Sequence, residues 1–428
     1  QIADDIAERL GTRSAAPALL PPPPPVQAVA AMQHLPVPPI ALSAASIPQR
    51  AVAGHSISAR VFSGIQPTGV PQLGNYLGCI RNWVSLQKDE DRNKATKTSR
   101  ELFYSIVDLH SLTVPRDPES LRRNTVEAAA ALVACGIDPA HSVLFRQSAV
   151  PAHSQLSWVL ACITPVGWLN RMTQWKSKLQ QQHTKKQQQQ HGAAGGHGGL
   201  VADNGINMPN VGSAAAKNLL TGLFTYPVLM AADVLLYNAT HVPVGEDQVQ
   251  HMEFTRDLAM HFNKQYKRRV FVMPEIMMSA TMRIMSLQDP QRKMSKSDPA
   301  ELSRITLTDT DDQIRLKIKK ASTDSIREIS YDPELRPGVS NLLAIYAGLK
   351  DIHPTAAAQS MASFNNRQLK EAVAEAVVSG LSPIRQEIVR LLGDQGYIEK
   401  ILCENEAKAR DVAQANWKII AECVGIEA

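Results

Sequence analysis

RVFSGIQPTGVPQLGN, residues 60–75, decides the fold class of this chain. Its first six residues predict a short strand, and the Gly/Pro-rich turn that follows leads into a helix predicted over 75–87. Three glycines without side chains, Gly64, Gly69 and Gly74, let backbone N–H groups approach an anion at the start of that helix. The spacing matches neither a Gly-x-Gly-x-x-Gly dinucleotide turn nor a Walker loop. Residues 64–75, here named the glycine turn, therefore predict either an anion site or a plain strand-to-helix turn.

Outward from the glycine turn, strand and helix patterns alternate. Further strands are predicted at 102–107, 143–145 and 242–244, with a regular helix over 121–135. This alternation predicts an α/β fold, a Rossmann-like doubly wound parallel sheet with helices on both faces. Ligands of such sheets gather at the carboxyl ends of the strands. Beyond about residue 310 the patterns become helical, with breaks expected at Gly380, Pro383 and Gly393.

Composition sets the class and the domain organisation. The 428 residues are 44% hydrophobic and 20% charged, which is an ordinary soluble composition with material for two or three domains. No run of about 18 apolar residues occurs, which argues against a membrane-spanning helix. A net charge of +5 is compatible with a polyanionic partner without requiring one. Five scattered cysteines with no paired spacing indicate neither a disulfide framework nor a zinc site.

Three regions and one insertion are predicted. Residues 1–59 are rich in Pro and Ala, carry Arg and Ser, and have no acidic residue between Glu8 and Asp89. This leader is expected to be disordered, and it reads as a transit peptide or as a plain flexible tail. Because residue 1 is not Met, we expect the start to be missing or processed. Residues 60–309 form the predicted catalytic domain, with a Gln/Gly-rich insertion at 180–212, and 310–428 a helical C-terminal domain.

A second motif is Lys293-Met294-Ser295-Lys296-Ser297, here named the lysine loop. Two lysines and two serines near prolines make a short, donor-rich loop that could close over a polyphosphate and stabilise developing charge. By charge alone, a solvated basic loop is the better interpretation.

The helix around Asp233 is a third feature, because a carboxylate among so many apolar residues needs a hydrogen-bond donor. Pro227 is expected in the first turn of that helix.

Taken together, the two motifs resemble the signatures of class I aminoacyl-tRNA synthetases, and the glycine turn looks like the variant found in tryptophanyl-tRNA synthetases. The resemblance extends from residue 60 to the C-terminus apart from the insertion, through Ile106-Val107-Asp108-Leu109-His110, Pro151-Ala152-His153, Arg171-Met172-Thr173-Gln174, Met230-Ala231-Ala232-Asp233, the stretch 242–248 and Pro337-Gly338-Val339-Ser340-Asn341. It implies ATP-dependent formation of tryptophanyl-adenylate, followed by transfer to tRNA(Trp).

The resemblance also implies roles for residues of this chain. Lys293, Lys296 and Gln66 would act on the reacting phosphates. The ATP site would consist of Gln66, Pro67, Thr68, Gly74, Asn75, Gly245, Glu246, Asp247, Ile284, Lys293, Met294, Ser295, Lys296 and Ser297. Asp233 would accept the indole N–H of tryptophan, and the rest of that pocket would be Phe62, Gly64, His110, Tyr226, Met230, Val242, Val244 and Gln248. Read physically, Glu246 and Asp247 could equally be partners of a helix dipole, and Ile284 a core residue.

Partners and location follow from the resemblance and from the leader. The resemblance implies Mg²⁺ accompanying ATP without a dedicated protein ligand cluster, a homodimer, and anticodon contact by the helical C-terminal region. The leader indicates a mitochondrial matrix or plastid stroma location, and no membrane partner is expected because no long apolar run occurs. One position departs from the family, because Gln72 stands where Thr or His is usual. We expect Gln72→His to keep or raise activity. A tyrosine-type synthetase and a catalytically silent RNA-binding relative are the alternatives.

Overall fold

The computed structural model describes residues 59–93, 100–173, 219–278, 282–296 and 298–426. The predictions made for the leader over 1–58, for the insertion at 180–212 and for Ser297 lie outside the described residues.

Five parallel strands form one sheet in the order β3-β2-β1-β4-β5. Their bounds are β1 Arg60–Ile65, β2 Glu101–Ile106, β3 Val143–Arg146, β4 His241–Val244 and β5 Glu275–Met278. Strand β1 pairs with β2 from Arg60↔Glu101 to Ile65↔Ile106, and with β4 on its other edge. The strand order reverses at β1, so a crevice for a ligand is expected at the carboxyl ends of β1 and β4. The predicted α/β class is confirmed, whereas β5 was not predicted from the sequence.

Helices surround this sheet. Their bounds are α1 Leu73–Asn75, a π-helical turn Tyr76–Ile80, α2 Arg81–Asn93, α3 Asp108–Ser111, α4 Pro118–Ala134, α5 Ala152–Ile163, α6 Val166–Arg171, α7 Thr221–Leu236, α8 Val249–Gln265, α9 Asp311–Lys319, α10 Pro337–Lys350, α11 Pro354–Ser360, α12 Asn366–Gly393 and α13 Gln395–Val424. From residue 311 to 424 the described elements are all helices, as predicted. No described helix is both long and apolar enough to span a bilayer.

Two apolar cores lie on the two faces of the sheet. Successive strand residues point to opposite faces, so Val61 enters one core and Phe62 the other. The first core contains residues of α1, α2, α4, the helices α9 to α12 and the start of α13, where Ile398 and Leu402 lie. The second contains residues of α5, α7, α8 and the later part of α13. Helix α13 thus begins beside the other C-terminal helices and continues onto the opposite face of the sheet.

Two predictions about prolines were wrong. Pro227 lies inside α7 rather than in its first turn, and α12 runs without a break through Gly380 and Pro383 to its end at Gly393. Packing explains the second case: a Cβ at Gly380 would lie 3.0 Å from Leu349 Cδ2, so glycine allows α10 to approach α12 closely. Tertiary burial along both helices outweighs the local penalty of a proline or glycine in a helix interior.

Candidate active site

The two predicted sets of ligand-binding residues lie on opposite faces of the sheet and meet at the carboxyl end of β1. Gly64 occupies this meeting point. A Cβ at Gly64 would come within 2.8 Å of Val107 Cγ1, so the crossing between the strand ends has room only for backbone. The Ile65 carbonyl accepts a hydrogen bond from Val107 N at 2.9 Å, which joins the ends of β1 and β2. The carboxyl end of β1, on the side where it adjoins β4, is the switch point at which doubly wound sheets bind ligands.

The glycine turn forms a cavity of about 210 Å³ on the first-core side. Its lining consists of Ile65, Gln66, Thr68, Gly69, Pro71, Asn75 and Ala128. Gly69 has φ +86°, a left-handed conformation that disfavours any side chain. Gln66, Thr68 and Asn75, three of the residues expected to hold ATP phosphates, are therefore together at one cavity. The cavity is where the sequence predicts an anion.

The lysine loop lies against this same turn. Lys296 Nζ donates to the backbone carbonyls of Thr68 and of Val70, the latter at 3.1 Å. Met294 is 2% exposed and its N–H donates to Ile284 O at 3.0 Å, whereas Lys293 is exposed. The two motifs, more than 200 residues apart in sequence, are thus in contact. Lys296 is therefore bonded to the same turn whose residues line the cavity.

Gln72 provides a second contact between the turn and the loop. Its side-chain Oε1 accepts from Gly74 N at 2.6 Å and so caps the start of α1, while its Nε2 donates to Met294 O at 3.1 Å. The side chain is buried. The departure from the family pattern therefore occupies a structural junction rather than an open position.

On the other face of the sheet, Asp233 is the centre of a buried polar cluster. Its Oδ2 accepts from His110 Nε2 at 2.8 Å, and its Oδ1 accepts from Gln147 Nε2 at 2.7 Å and from His153 Nδ1 at 2.6 Å. His153 also bonds through Nε2 to Tyr237 Oη at 3.0 Å. His153 thus links the carboxylate of Asp233 to the phenol of Tyr237. The carboxylate of Asp233 therefore accepts hydrogen bonds from three side chains, where the sequence required at least one donor.

Burial alone would raise the pKa of Asp233, but the hydrogen bonds and charges of His110 and His153 outweigh it and lower the pKa to about 2. The carboxylate is therefore an anion at neutral pH. Burial, with Asp233 nearby, raises the pKa of Tyr237 well above its ordinary value, so the phenol stays protonated. The negative charge of Asp233 thus lies on a helix whose neighbouring residues belong to the second apolar core. A carboxylate has further lone pairs, so Asp233 retains acceptor capacity for one more donor.

The remaining residues expected around tryptophan lie near this cluster. Phe62 stacks on Tyr237 with ring centroids 5.5 Å apart, and Tyr226 Oη bonds to His251 Nε2 at 2.9 Å while its ring meets His110 edge-on. Val242 and Val244 belong to the second core, and Met230 is half-buried on α7. These side chains are mainly apolar, and their role around an indole ring stays a prediction.

Other predicted ligand residues have partners within the protein. The Gln248 amide donates to Asp247 Oδ2 at 2.9 Å, and Gly245 O accepts from Gln248 N at 2.9 Å. Residues 246–248 form a 3₁₀ turn at the carboxyl end of β4, so α8 begins at Val249 rather than at the predicted acidic residues. Ile284 is 1% exposed and packs in the first core.

Sequence reasoning missed Gln147 and gave His153 no role. A usable signal existed for Gln147, since it is a polar residue directly after the buried strand β3, at the sheet edge where ligands bind. The segment that carries it is clamped by the last helix. Arg146 makes two hydrogen bonds to each of Glu399 and Glu406, and Arg410 donates to Ala149 O at 3.1 Å. Helix α13 therefore fixes the residues that hold Asp233.

Within the described ranges, no group of three or more His, Cys, Asp or Glu side chains is arranged to hold a metal ion. Burial raises the pKa of the Cys79 thiol to about 12, against a smaller opposing effect of Lys293. Cys79 is therefore a thiol, not a thiolate nucleophile, at neutral pH.

Comparison with known proteins agrees with this geometry. Residues 56–382 match the family model described as tRNA synthetases class I (W and Y). A mitochondrial tryptophan–tRNA ligase of Schizosaccharomyces pombe is 44% identical over 325 residues, which is 76% of this chain and 84% of that protein. The crystal structure of tryptophanyl-tRNA synthetase from Mycoplasma pneumoniae matches with a TM-score of 0.70 and 31% identity over 86% of this chain and 98% of that one. The Campylobacter jejuni enzyme, solved with ADP and tryptophan, matches with a TM-score of 0.64 and 28% identity over 86% and 99% of the two chains.

Proposed function

This chain belongs to the class I tRNA synthetases of the tryptophan type, and we propose that it joins L-tryptophan to tRNA(Trp) at the carboxyl edge of its sheet, with ATP as the second substrate. The observation that carries this proposal is the placement of two unlike sites across Gly64. The buried carboxylate of Asp233 lies on one side. On the other lies the cavity of the glycine turn, and the Lys296 ammonium donates to the Val70 carbonyl of that turn. An indole on the first side and a triphosphate on the second would bring a carboxylate to the α-phosphate.

In the first step, the tryptophan carboxylate attacks the α-phosphorus of ATP. A new carboxyl O–P bond forms as the bond to the bridging oxygen breaks, and pyrophosphate leaves with the electron pair. The nucleophile is already an anion, so the step needs alignment and charge stabilisation rather than a general base. Lys293 and Lys296 would take up charge on the leaving phosphates, while Gln66, Thr68 and Asn75 would hold them. The terminal adenosine hydroxyl of tRNA then accepts the acyl group and AMP is released.

Selection of tryptophan would rest on Asp233. A buried anion that accepts one more hydrogen bond favours a ring with an N–H over a phenyl ring, and sites of this kind discriminate by roughly 10⁴ or more. Gln147 and His153 fix the carboxylate through Oδ1, and His110 shares Oδ2. Mg²⁺ would enter with ATP, because this ion is usually bound through substrate phosphates and water with one or two carboxylates.

Pyrophosphate exchange tests this function directly. Tryptophan should support ATP–pyrophosphate exchange and tyrosine should not. Asp233→Asn should lower the exchange rate with tryptophan by orders of magnitude, whereas Asp411→Asn, an exposed carboxylate on α13, should leave the rate unchanged. Exchange that depends on tyrosine would move the chain to the tyrosine type. No exchange with either amino acid would favour the silent RNA-binding relative.

A homodimer is proposed for the assembly. Trp158 on α5 is 72% exposed, Val166 at the start of α6 is 57% exposed, and Leu220 at the cap of α7 is 47% exposed. Since α7 packs against both α5 and α6, these side chains belong to neighbouring helices. Exposed apolar surface of this kind marks an interaction site. Sedimentation of the purified protein would show a dimer, and a monomer at micromolar concentration would contradict the proposal.

An organellar location is supported by the name of the fission yeast relative, which is mitochondrial, and by the acid-poor leader that carries Arg9 and Arg13. We propose delivery to the mitochondrial matrix or the plastid stroma. A fluorescent protein fused behind residues 1–59 should enter one or both organelles. Fluorescence that stays in the cytosol would refute targeting by this leader.

The helical region 310–428 is proposed to contact tRNA(Trp), including its anticodon. Footprinting of the bound tRNA would test this contact.

A further inference from the structure

The side chain of Gln72 accepts a hydrogen bond from one signature motif and donates a hydrogen bond to the other. Its Oε1 accepts from Gly74 N in the glycine turn, and its Nε2 donates to Met294 O in the lysine loop. A Cβ at Gly74 would lie 2.9 Å from Gln72 Oε1, so the glycine leaves the space into which the glutamine folds back. An amide is suited to this position because it carries an acceptor and a donor side by side.

The lysine loop is attached to the first core at Met294 and to the glycine turn at Lys296. Met294 has its side chain in the first core, its N–H bonded to Ile284 O at 3.0 Å, and its carbonyl bonded to Gln72. Lys296, two residues on, is half-buried and is held by the carbonyls of Thr68 and Val70. An ammonium that binds neutral carbonyls can exchange them for phosphate oxygens, whose negative charge makes stronger hydrogen bonds.

We propose that Gln72 is a positioning residue that holds the Met294 peptide as the pivot about which the lysine loop moves. Residues before the pivot stay with the core, and Lys296 moves between the turn carbonyls and the substrate phosphates. The length of chain between the Met294 carbonyl and the Lys296 ammonium then determines which positions that positive charge can reach. This inference rests on the proposed function for its catalytic consequence, but the pivot itself is a property of the loop.

The side chain at position 72 can be varied one hydrogen bond at a time. Gln72→Glu keeps the acceptor for Gly74 N and loses the donor to Met294 O. Gln72→His keeps both, because a neutral imidazole has one acceptor nitrogen and one N–H donor. Asn365→Ala is the matched control, since it removes a helix cap at the start of α12, where Asn365 accepts from Arg367 N and Gln368 N. The control lowers stability without touching the loop.

Two measurements test the pivot. Limited trypsin digestion, with the peptides that end at Lys293 and Lys296 followed by mass spectrometry, reports how often the loop leaves the turn. For Gln72→Glu we expect cleavage there to accelerate about fivefold or more, the equivalent of one net hydrogen bond. In pyrophosphate exchange, kcat should fall by a similar factor while the KM for tryptophan stays within about twofold, because that pocket lies on the other face. Gln72→His should restore both readouts.

Each alternative outcome has a meaning. Unchanged loop cleavage in Gln72→Glu would overturn the proposal, and so would an equal acceleration in Asn365→Ala, because the effect would then be one of general stability. Failure of Gln72→His to restore either readout would also overturn it. If the wild-type protein shows no tryptophan-dependent exchange, the proposed function fails, whereas the proteolysis comparison still decides whether Gln72 holds the loop.

Discussion

Arg146 offers a stringent test, because it forms ion pairs with two carboxylates that differ in burial. Glu406 has 6% of its side chain exposed and Glu399 has 50%, while the Arg146 side chain is 25% exposed. Removing one partner of a buried pair leaves a charge unpaired and costs about 3 kcal/mol or more, whereas an exposed pair contributes about 0.5 kcal/mol. We therefore expect Arg146→Met to lower the free energy of unfolding by about 3 kcal/mol. Most of this loss should come from Glu406.

Double-mutant cycles with Glu406→Gln and Glu399→Gln separate the two contributions. Urea unfolding at fixed pH should give a coupling energy of about 2 kcal/mol between Arg146 and Glu406, and about 0.5 kcal/mol or less between Arg146 and Glu399. Raising the salt concentration should reduce only the coupling energy between Arg146 and the exposed Glu399. Equal couplings, or additive effects of Arg146→Met and Glu406→Gln, would refute the reasoning that burial decides the strength of these pairs.

The same variant has a catalytic readout. Gln147, the next residue along the chain, donates to Asp233 Oδ1 at 2.7 Å, so loosening Arg146 should disturb that contact. The KM for tryptophan is expected to rise about fivefold, the value of one net hydrogen bond, and the KM for ATP to stay unchanged. A parallel rise in both constants would mean that Arg146 supports the whole fold rather than the Asp233 cluster.

Three further predictions concern other parts of the structure. The folded-state pKa of Asp233, about 2 against an ordinary 3.8, means that its charge stabilises the fold above pH 4 by about 2 kcal/mol. This contribution disappears as the pH falls from about 4 to about 2. The difference in unfolding free energy between wild type and Asp233→Asn should therefore become smaller over that pH range. A difference that stays constant would contradict a stabilising charge on Asp233. Gly69→Ala should reduce pyrophosphate exchange at least about tenfold, because φ is +86° and the new Cβ would meet Lys296 Nζ and, at 2.9 Å, Glu127 Oε2. Gly167→Ala, with nothing within 4 Å, is the control that should retain full exchange. Trp158→Glu should shift the proposed dimer toward monomer in sedimentation, while Leu335→Glu, at a side chain that is 79% exposed, should not.

The sheet could be predicted because its central strands are apolar runs that start or follow obvious turns. Strand β1 ends in the glycine turn, and β4 is a short apolar stretch before Gly245. Strand β5 was missed because Glu275–Met278 is only four residues long and contains a single β-branched residue. It forms because it completes the edge of the sheet beside β4, which is a tertiary reason that no local window contains.

Candidate site residues could be proposed for the same reason. Lys296, Gln66 and Asp233 each belong to a local motif, and their roles stay predictions. The partners of Asp233 come from three separate segments, at positions 110, 147 and 153, and hydrogen bonds between distant segments leave no periodicity in the sequence. The role of Gln72 was hidden for a related reason, since Met294 lies 222 positions away.

The return of α13 to the sheet has a consequence for how the protein is made. Ala409, Trp417 and Ile420 complete the second core, and Glu406 secures the segment that leads to Gln147. A ribosome makes these residues after all five strands, so the sheet emerges with its second face covered only in part. We expect the segment around Asp233 to become fully ordered only after α13 has been synthesised. A fragment that stops at Gly393 would then be a substrate for chaperones rather than a smaller enzyme.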